Sequence, residues 1–262
     1  MQEISKNAIK FVRALQQKKI RQTEQLFVVE GEKSVLELLQ NGGFAIQKIY
    51  CSTSFYETRL SKATFKNYQD SIAVGNATQI SQMSFFENNT TVLAVVHIPT
   101  SEIWQPNRQK PQLVLTLDAI RDPGNLGTIL RIADWYGLEG IICSNDTVDF
   151  YNPKTIAASM GSFLRVKAFY TSLEDYFKAQ KGKMLVVATD MEGENLHSYA
   201  WQPTTLPILL LIGNEAQGIS PTLLAFAEQR LSIPRFGEAE SLNAGIAAAL
   251  FCDSWRRSMH FS

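Results

Sequence analysis

The chain has 262 residues, 45% hydrophobic and 19% charged, which excludes a disordered or fibrous protein and leaves room for one large domain or two small ones. Lys plus Arg and Asp plus Glu number 25 each, so no whole-chain charge draws the protein to nucleic acid or to an anionic membrane. The halves differ: residues 1–110 hold 13 Lys and Arg against 9 Asp and Glu, and residues 111–262 hold 12 against 16, a front of +4 and a back of −4. Cys51, Cys143 and Cys252 lie far apart without CxxC or Cys/His spacing, the pattern of reduced thiols in a cytoplasmic protein without structural zinc. Residues 1–10 lack the apolar core of a signal peptide, and no run approaches the ~20 apolar residues that span a bilayer. A cytoplasmic protein without a membrane partner is expected.

From Ser5 to Ile20, apolar residues recur at helical spacing among Lys6, Lys10, Arg13, Lys18 and Lys19, which predicts one amphipathic basic helix. Strands are predicted at residues 26–29, 46–50, 71–74 and 91–97, with a helix over 32–40. Together they make a small α/β unit ending near Ile98. The proline-bearing segment 99–111 reads as a linker. Beyond it, strands at 112–117, 140–143, 166–170, 184–189, 208–212 and 231–233 alternate with helices at 129–136, 153–159, 173–181, 221–229 and 243–257. This alternation predicts a mostly parallel sheet.

Open parallel sheets bind ligands beyond the carboxyl ends of their strands, and three polar loops fall there. The first runs Asp118 to Gly127 and leads to Arg131; its turn residues and helix start suit an anion, or a plain strand-to-helix turn with a surface arginine. The second, Gly213-Asn214-Glu215-Ala216-Gln217-Gly218, lacks the Lys-Ser/Thr of a phosphate-binding P-loop. Glu215, directly after an apolar strand, needs either a specific partner or an exposed edge. The third, Ile233 to Asn243, ends in Ser241 and Asn243, either of which can cap the closing helix. No GxGxxG or GxSxG occurs, the histidines are scattered, and Asp190, Glu192 and Glu194 read as a solvated acidic turn.

At these loops the chain resembles the SpoU (TrmH) family of RNA 2′-O-ribose methyltransferases, in the SPOUT superfamily. The resemblance is carried by Asp122-Pro123-Gly124-Asn125-Leu126-Gly127 with Arg131, by Ile212-Gly213-Asn214-Glu215 with Gly218, and by Ile233-Pro234 with Ser241-Leu242-Asn243. Residues 27–32 resemble the ribosomal-protein-like substrate-binding domain of many members. Ala157 stands where many members carry a basic residue.

The resemblance implies an RNA substrate-binding domain over residues 1–98 and a methyltransferase domain over 112–262, α/β with a mostly parallel sheet and a C-terminal trefoil knot. It implies S-adenosylmethionine as cofactor, bound by Gly213, Ile233 and Leu242, and no metal. Asn125, Arg131, Glu215, Ser241 and Asn243 are implied as the catalytic surroundings. A homodimer sharing its active site between chains is expected, with ribosomal RNA favoured as substrate. Transfer RNA is the alternative substrate, and a non-catalytic RNA-binding or ribosome-assembly protein the alternative class. Arg131 is proposed in the family as the base, but a guanidinium gives up its proton reluctantly. Bidentate phosphate binding suits it better.

Overall fold

A computed structural model describes residues 2–41, 43–100, 112–202 and 204–259. The chain divides into two compact units, Met1–Thr100 with Tyr151–Leu164, and Ser101–Phe150 with Arg165–Ser262. From residue 101 onward, the segment read as a linker lies outside the described residues. Residues 151–164, assigned above to the C-terminal domain, cluster with the first unit.

In the first unit, α1 (Lys6–Ala14) and α2 (Lys18–Glu24) replace the single helix predicted over 5–20. A side chain just beyond the break holds it. Arg21 is buried and donates from one guanidinium nitrogen to the carbonyls of Leu15 at 2.9 Å and Gln16 at 2.8 Å, satisfying groups that a continued helix would have used. A five-stranded sheet follows, built from β1 (Gln2–Glu3), β2 (Leu26–Glu30), β3 (Ile46–Ser52), β4 (Ile72–Gly75) and β5 (Val92–His97) in the order β1-β4-β3-β5-β2. The β3–β4 pair is parallel, and β5 runs antiparallel to β2 and β3. β2 is buried on both faces. Leu26 and Val28 join Val12, Leu15 and Ile80 in one core cluster, while the Phe27 ring packs at 4.6 Å from Tyr151 and 6.2 Å from Phe163.

Helices α3 (Glu32–Asn41), α4 (Thr53–Phe55) and α5 (Ala77–Met83) complete the front part of this unit. An open cleft of about 800 Å³ lies at the carboxyl ends of β3 and β4, lined by Ser52, Thr53, Thr58, Arg59, Asn76 and Glu32 among others.

The second unit opens with β6 (Leu113–Leu117), α6 (Pro123–Trp135) and β7 (Gly140–Ser144); α7 (Pro153–Ala158) belongs to the first unit. There follow β8 (Lys167–Thr171), α8 (Leu173–Gln180), β9 (Leu185–Asn195), β10 (Ile208–Ile212), α9 (Pro221–Leu224), β11 (Gln229–Ser232) and α10 (Ala244–Met259). The sheet order is β11-β9-β10-β6-β7-β8 and every pairing is parallel. The central strands β6 and β10 are buried along their whole length, as strands of a parallel sheet covered on both faces are, with Thr116 the one polar residue among them.

Two differences from the sequence reading matter. β9 extends through Asp190, Glu192 and Glu194, but its pairing with β11 jumps from Ala188 opposite Arg230 to Glu194 opposite Leu231, so Asp190 and Glu192 lie in a bulge of the strand rather than in a turn after it, with Asp190 paired to Arg230 at 3.5 Å. α6 begins at Pro123, six residues earlier than predicted, because Asp122 accepts the Asn125 amide at 2.8 Å as N-cap and proline suits the first turn. The small-residue run of α10 serves packing inside the unit. Ala244, Gly245 and Ala248 are buried, and a Cβ on Gly245 would come within 2.8 Å of the Thr128 methyl on α6.

Candidate active site

The first loop leaves β6 at Asp118, whose buried carboxylate accepts the Ser220 amide at 2.8 Å. Ala119 then takes a left-handed conformation, φ +54, unusual for a residue with a Cβ. Its neighbours hold it there. The Ala119 amide donates to Ser144 Oγ at 2.9 Å, and its carbonyl accepts from Asn214 Nδ2 at 2.9 Å. Strained backbone fixed from two sides is a mark of a functional segment.

The second loop is closed on itself. Asn214 and Gly218 exchange backbone hydrogen bonds at 3.1 and 2.8 Å, and Asn214 Oδ1 accepts the amides of Ala216 and Gln217. Gly218 sits at φ +68, and a Cβ on Gly213 would overlap the backbone of Gly218 and Ile219. This tight frame carries Glu215 outward, so that it is exposed yet has a partner: its carboxylate accepts a hydrogen bond from Asn125 Nδ2.

The third loop supplies Asn243, which does two things at once. Its Oδ1 accepts the Gly245 amide at 2.9 Å, capping α10, while its Nδ2 donates to Asn125 Oδ1 at 2.7 Å. The result is a side-chain relay, Asn243 to Asn125 to Glu215, with one residue from each loop. Capping and site-building, alternatives at Asn243 from sequence alone, coexist.

The other expected residues make no hydrogen bond to this relay. Arg131 is exposed on α6, six residues on from Asn125 and four before the exposed Trp135. Ser241 is exposed in the third loop. Of the expected cofactor residues, Gly213 directly follows β10 and Ile233 directly follows β11, both half-buried; Leu242 is 46% exposed. Among the described residues no cluster of His, Cys, Asp or Glu is placed to hold a metal ion, and no helix is long and apolar enough to cross a membrane.

Asp118 and Asn214 were missed as site-builders. Both flank apolar strands, the position in which a polar side chain must find a partner, and that was the available signal. The three cysteines are free and buried, and burial pushes the thiols of Cys51 and Cys252 up to about 12.

Residues 112–253 match the SpoU rRNA Methylase family, and residues 6–94 match the MRM3-like substrate binding domain. The chain belongs to the SpoU rRNA methylase family. It is 31% identical over 250 residues, 95% of this chain and 96% of the other, to the 23S rRNA (guanosine(2553)-2′-O)-methyltransferase RlmP of Bacillus subtilis. It is 25% identical, over 86% of this chain and 94% of the other, to the 23S rRNA (guanosine-2′-O-)-methyltransferase RlmB of Pseudomonas putida. Among solved structures, an AdoMet-bound rRNA methyltransferase from Sinorhizobium meliloti superposes with a TM-score of 0.85 at 30% identity, covering 98% of this chain and 97% of that one.

Proposed function

We propose that the protein transfers the methyl group of S-adenosylmethionine to a ribose 2′-hydroxyl of RNA, with ribosomal RNA as the substrate. The observation that carries this reading is the relay from Asn243 through Asn125 to Glu215, which ties all three family motifs into one polar cluster. The residues present fit the cofactor. Gly213 offers backbone groups without a side chain in the way, and Ile233 and Leu242 offer aliphatic surfaces suited to the flat adenine. When bound, S-adenosylmethionine supplies an electrophilic methyl carbon on a positively charged sulfur.

In that transfer the 2′-hydroxyl oxygen would gain the methyl group, the sulfur would leave as a neutral thioether, and the hydroxyl proton would pass to solvent water. A ribose hydroxyl is a weak acid, so the developing negative charge needs electrostatic help. Arg131 gives it by gripping the adjoining phosphate with its planar fork and fixing the ribose. Asn125 and Asn243 hold the third loop, and with it Ser241 and Leu242, in register with the first. In this reading Arg131, exposed on α6, works across a homodimer, in the site of the second protomer. Trp135 on α6, with Ile246 and Leu250 on α10, leaves apolar surface exposed on two helices that pack side by side, which suits such an interface.

Residues 1–98 serve as the RNA-binding part. Exposed Lys6, Lys10, Lys18 and Lys19 and the polar cleft beside Arg59 support that role. The trefoil crossing belongs to the same reading and falls on the loops after β10 and β11. The reduced, buried thiols accord with a cytoplasmic location. Transfer of labelled methyl to unmodified ribosomal and transfer RNA, followed by nucleoside analysis, tests the reaction and the RNA class together.

A further inference from the structure

Phe236 in the third loop is the most exposed large apolar side chain among the described residues, at 89%. A phenylalanine left in water forgoes the stabilisation that burial of such a side chain gains. The Phe236 ring plane lies 27° from that of His197, with ring centroids 6.4 Å apart, so two rings from different loops stand nearly parallel. The His197 segment is anchored to the β9–β11 edge. The His197 amide donates to Asn195 Oδ1 at 2.8 Å, and the Leu196 amide to the Ser232 carbonyl at 2.8 Å. The far end of the Phe236 loop is held by Asn243 on Asn125.

We propose that Phe236 and His197 form a stacking platform for an unpaired base of the RNA substrate, which places the RNA strand relative to the methyl-transfer cluster; this rests on the function proposed above. The surroundings choose the occupant. Glu194, Glu238 and Glu240 are exposed nearby in sequence, as are Arg230 and Arg235, so the neighbourhood has no net positive charge that would mark it as a phosphate-backbone site. Equally, an isolated ring among charged residues lacks the contiguous apolar area that a protein partner requires. A flat, polar-edged base stacks on a ring face without needing either.

The test compares wild type with Phe236→Ala and Phe236→Trp. Stacking of a base on an aromatic side chain is worth enough that Phe236→Ala is expected to lower kcat/KM for unmodified rRNA by about tenfold or more. Phe236→Trp, which keeps a stacking face, is expected to stay within about twofold of wild type. A single-stranded RNA carrying 2-aminopurine, whose fluorescence falls on stacking, is quenched by wild type and Phe236→Trp but not by Phe236→Ala. S-adenosylmethionine affinity and oligomeric state are expected to be unchanged in both variants. Normal transfer and quenching by Phe236→Ala overturn the platform while leaving the methyltransferase reading intact. Loss of cofactor affinity or a changed oligomeric state also overturns it, assigning the ring to the cofactor pocket or an interface. No transfer by wild type to any RNA defeats the underlying reading instead.

Discussion

Asn243 donates to Asn125 at 2.7 Å with the same side chain that caps α10, so the start of the closing helix and the start of α6 are locked by a single residue. Asn125 has both ends of its amide engaged, its oxygen toward Asn243 and its nitrogen toward Glu215. Replacing it with aspartate keeps the acceptor but removes the donor and sets a carboxylate against Glu215. A hydrogen bond to a charged group is worth about 1.5 to 3 kcal/mol, so Asn125→Asp is expected to lose roughly 10- to 100-fold in kcat/KM. Steady-state methyl transfer measures it, and a rate near wild type removes the relay from the mechanism.

Arg131→Lys separates two roles. A lysine keeps the charge but lacks the planar fork that grips phosphate through two parallel hydrogen bonds. The variant is expected to fall well below one-tenth of the wild-type rate, with cofactor affinity unchanged. Near-normal turnover by lysine shows that a point charge suffices.

The strands were readable because β10 is an unbroken apolar run and β6 is interrupted only by Thr116, the composition that suits a parallel sheet covered on both faces. The three loops were visible by their polar and turn residues at strand ends, but their joining was not. Asn214 meets Ala119 across 95 residues and Asp118 meets Ser220 across 102, pairings that no local pattern encodes. The early start of α6 was hidden because Pro123 and Gly124 read as a turn, although Asp122 and Pro123 form a good N-cap and first-turn pair. The break between α1 and α2 depends on where the Arg21 side chain goes, and helical periodicity carries no information about that.

Arg21 gives a stability prediction. With Arg21→Met, the Leu15 and Gln16 carbonyls lose their buried donor, and the first unit is expected to lose about 2 to 4 kcal/mol. Chemical denaturation followed by fluorescence reads the loss. S-adenosylmethionine binding by the second unit serves as control, and an unmoved denaturation midpoint refutes the capping role.

Ala119 predicts the opposite sign. Glycine adopts φ +54 without the steric cost that alanine bears, so Ala119→Gly is expected to stabilise the second unit by up to about 1 kcal/mol. If thermal denaturation shows destabilisation instead, the alanine methyl contributes packing that outweighs the backbone strain.

The buried thiols set a limit at high pH. Cys51 and Cys252 have folded values of about 12 against an ordinary 9.0, so the folded state holds these protons while the unfolded state releases them. Stability is therefore full below about pH 9 and declines as pH rises from there toward 12. Native protein is expected to resist alkylation by iodoacetamide at pH 8 and to react fully once unfolded. Rapid native labelling of either cysteine contradicts its burial.

The most direct test of the proposed reaction is transfer of labelled methyl from S-adenosylmethionine to unmodified ribosomal and transfer RNA, with wild type beside Arg131→Ala and nucleosides analysed afterwards. The expected result is a 2′-O-methylated nucleoside from ribosomal RNA, reduced at least about 100-fold in the variant, in line with loss of a transition-state charge stabiliser. Label on a base, or no transfer to any RNA by a protein that binds S-adenosylmethionine, contradicts it.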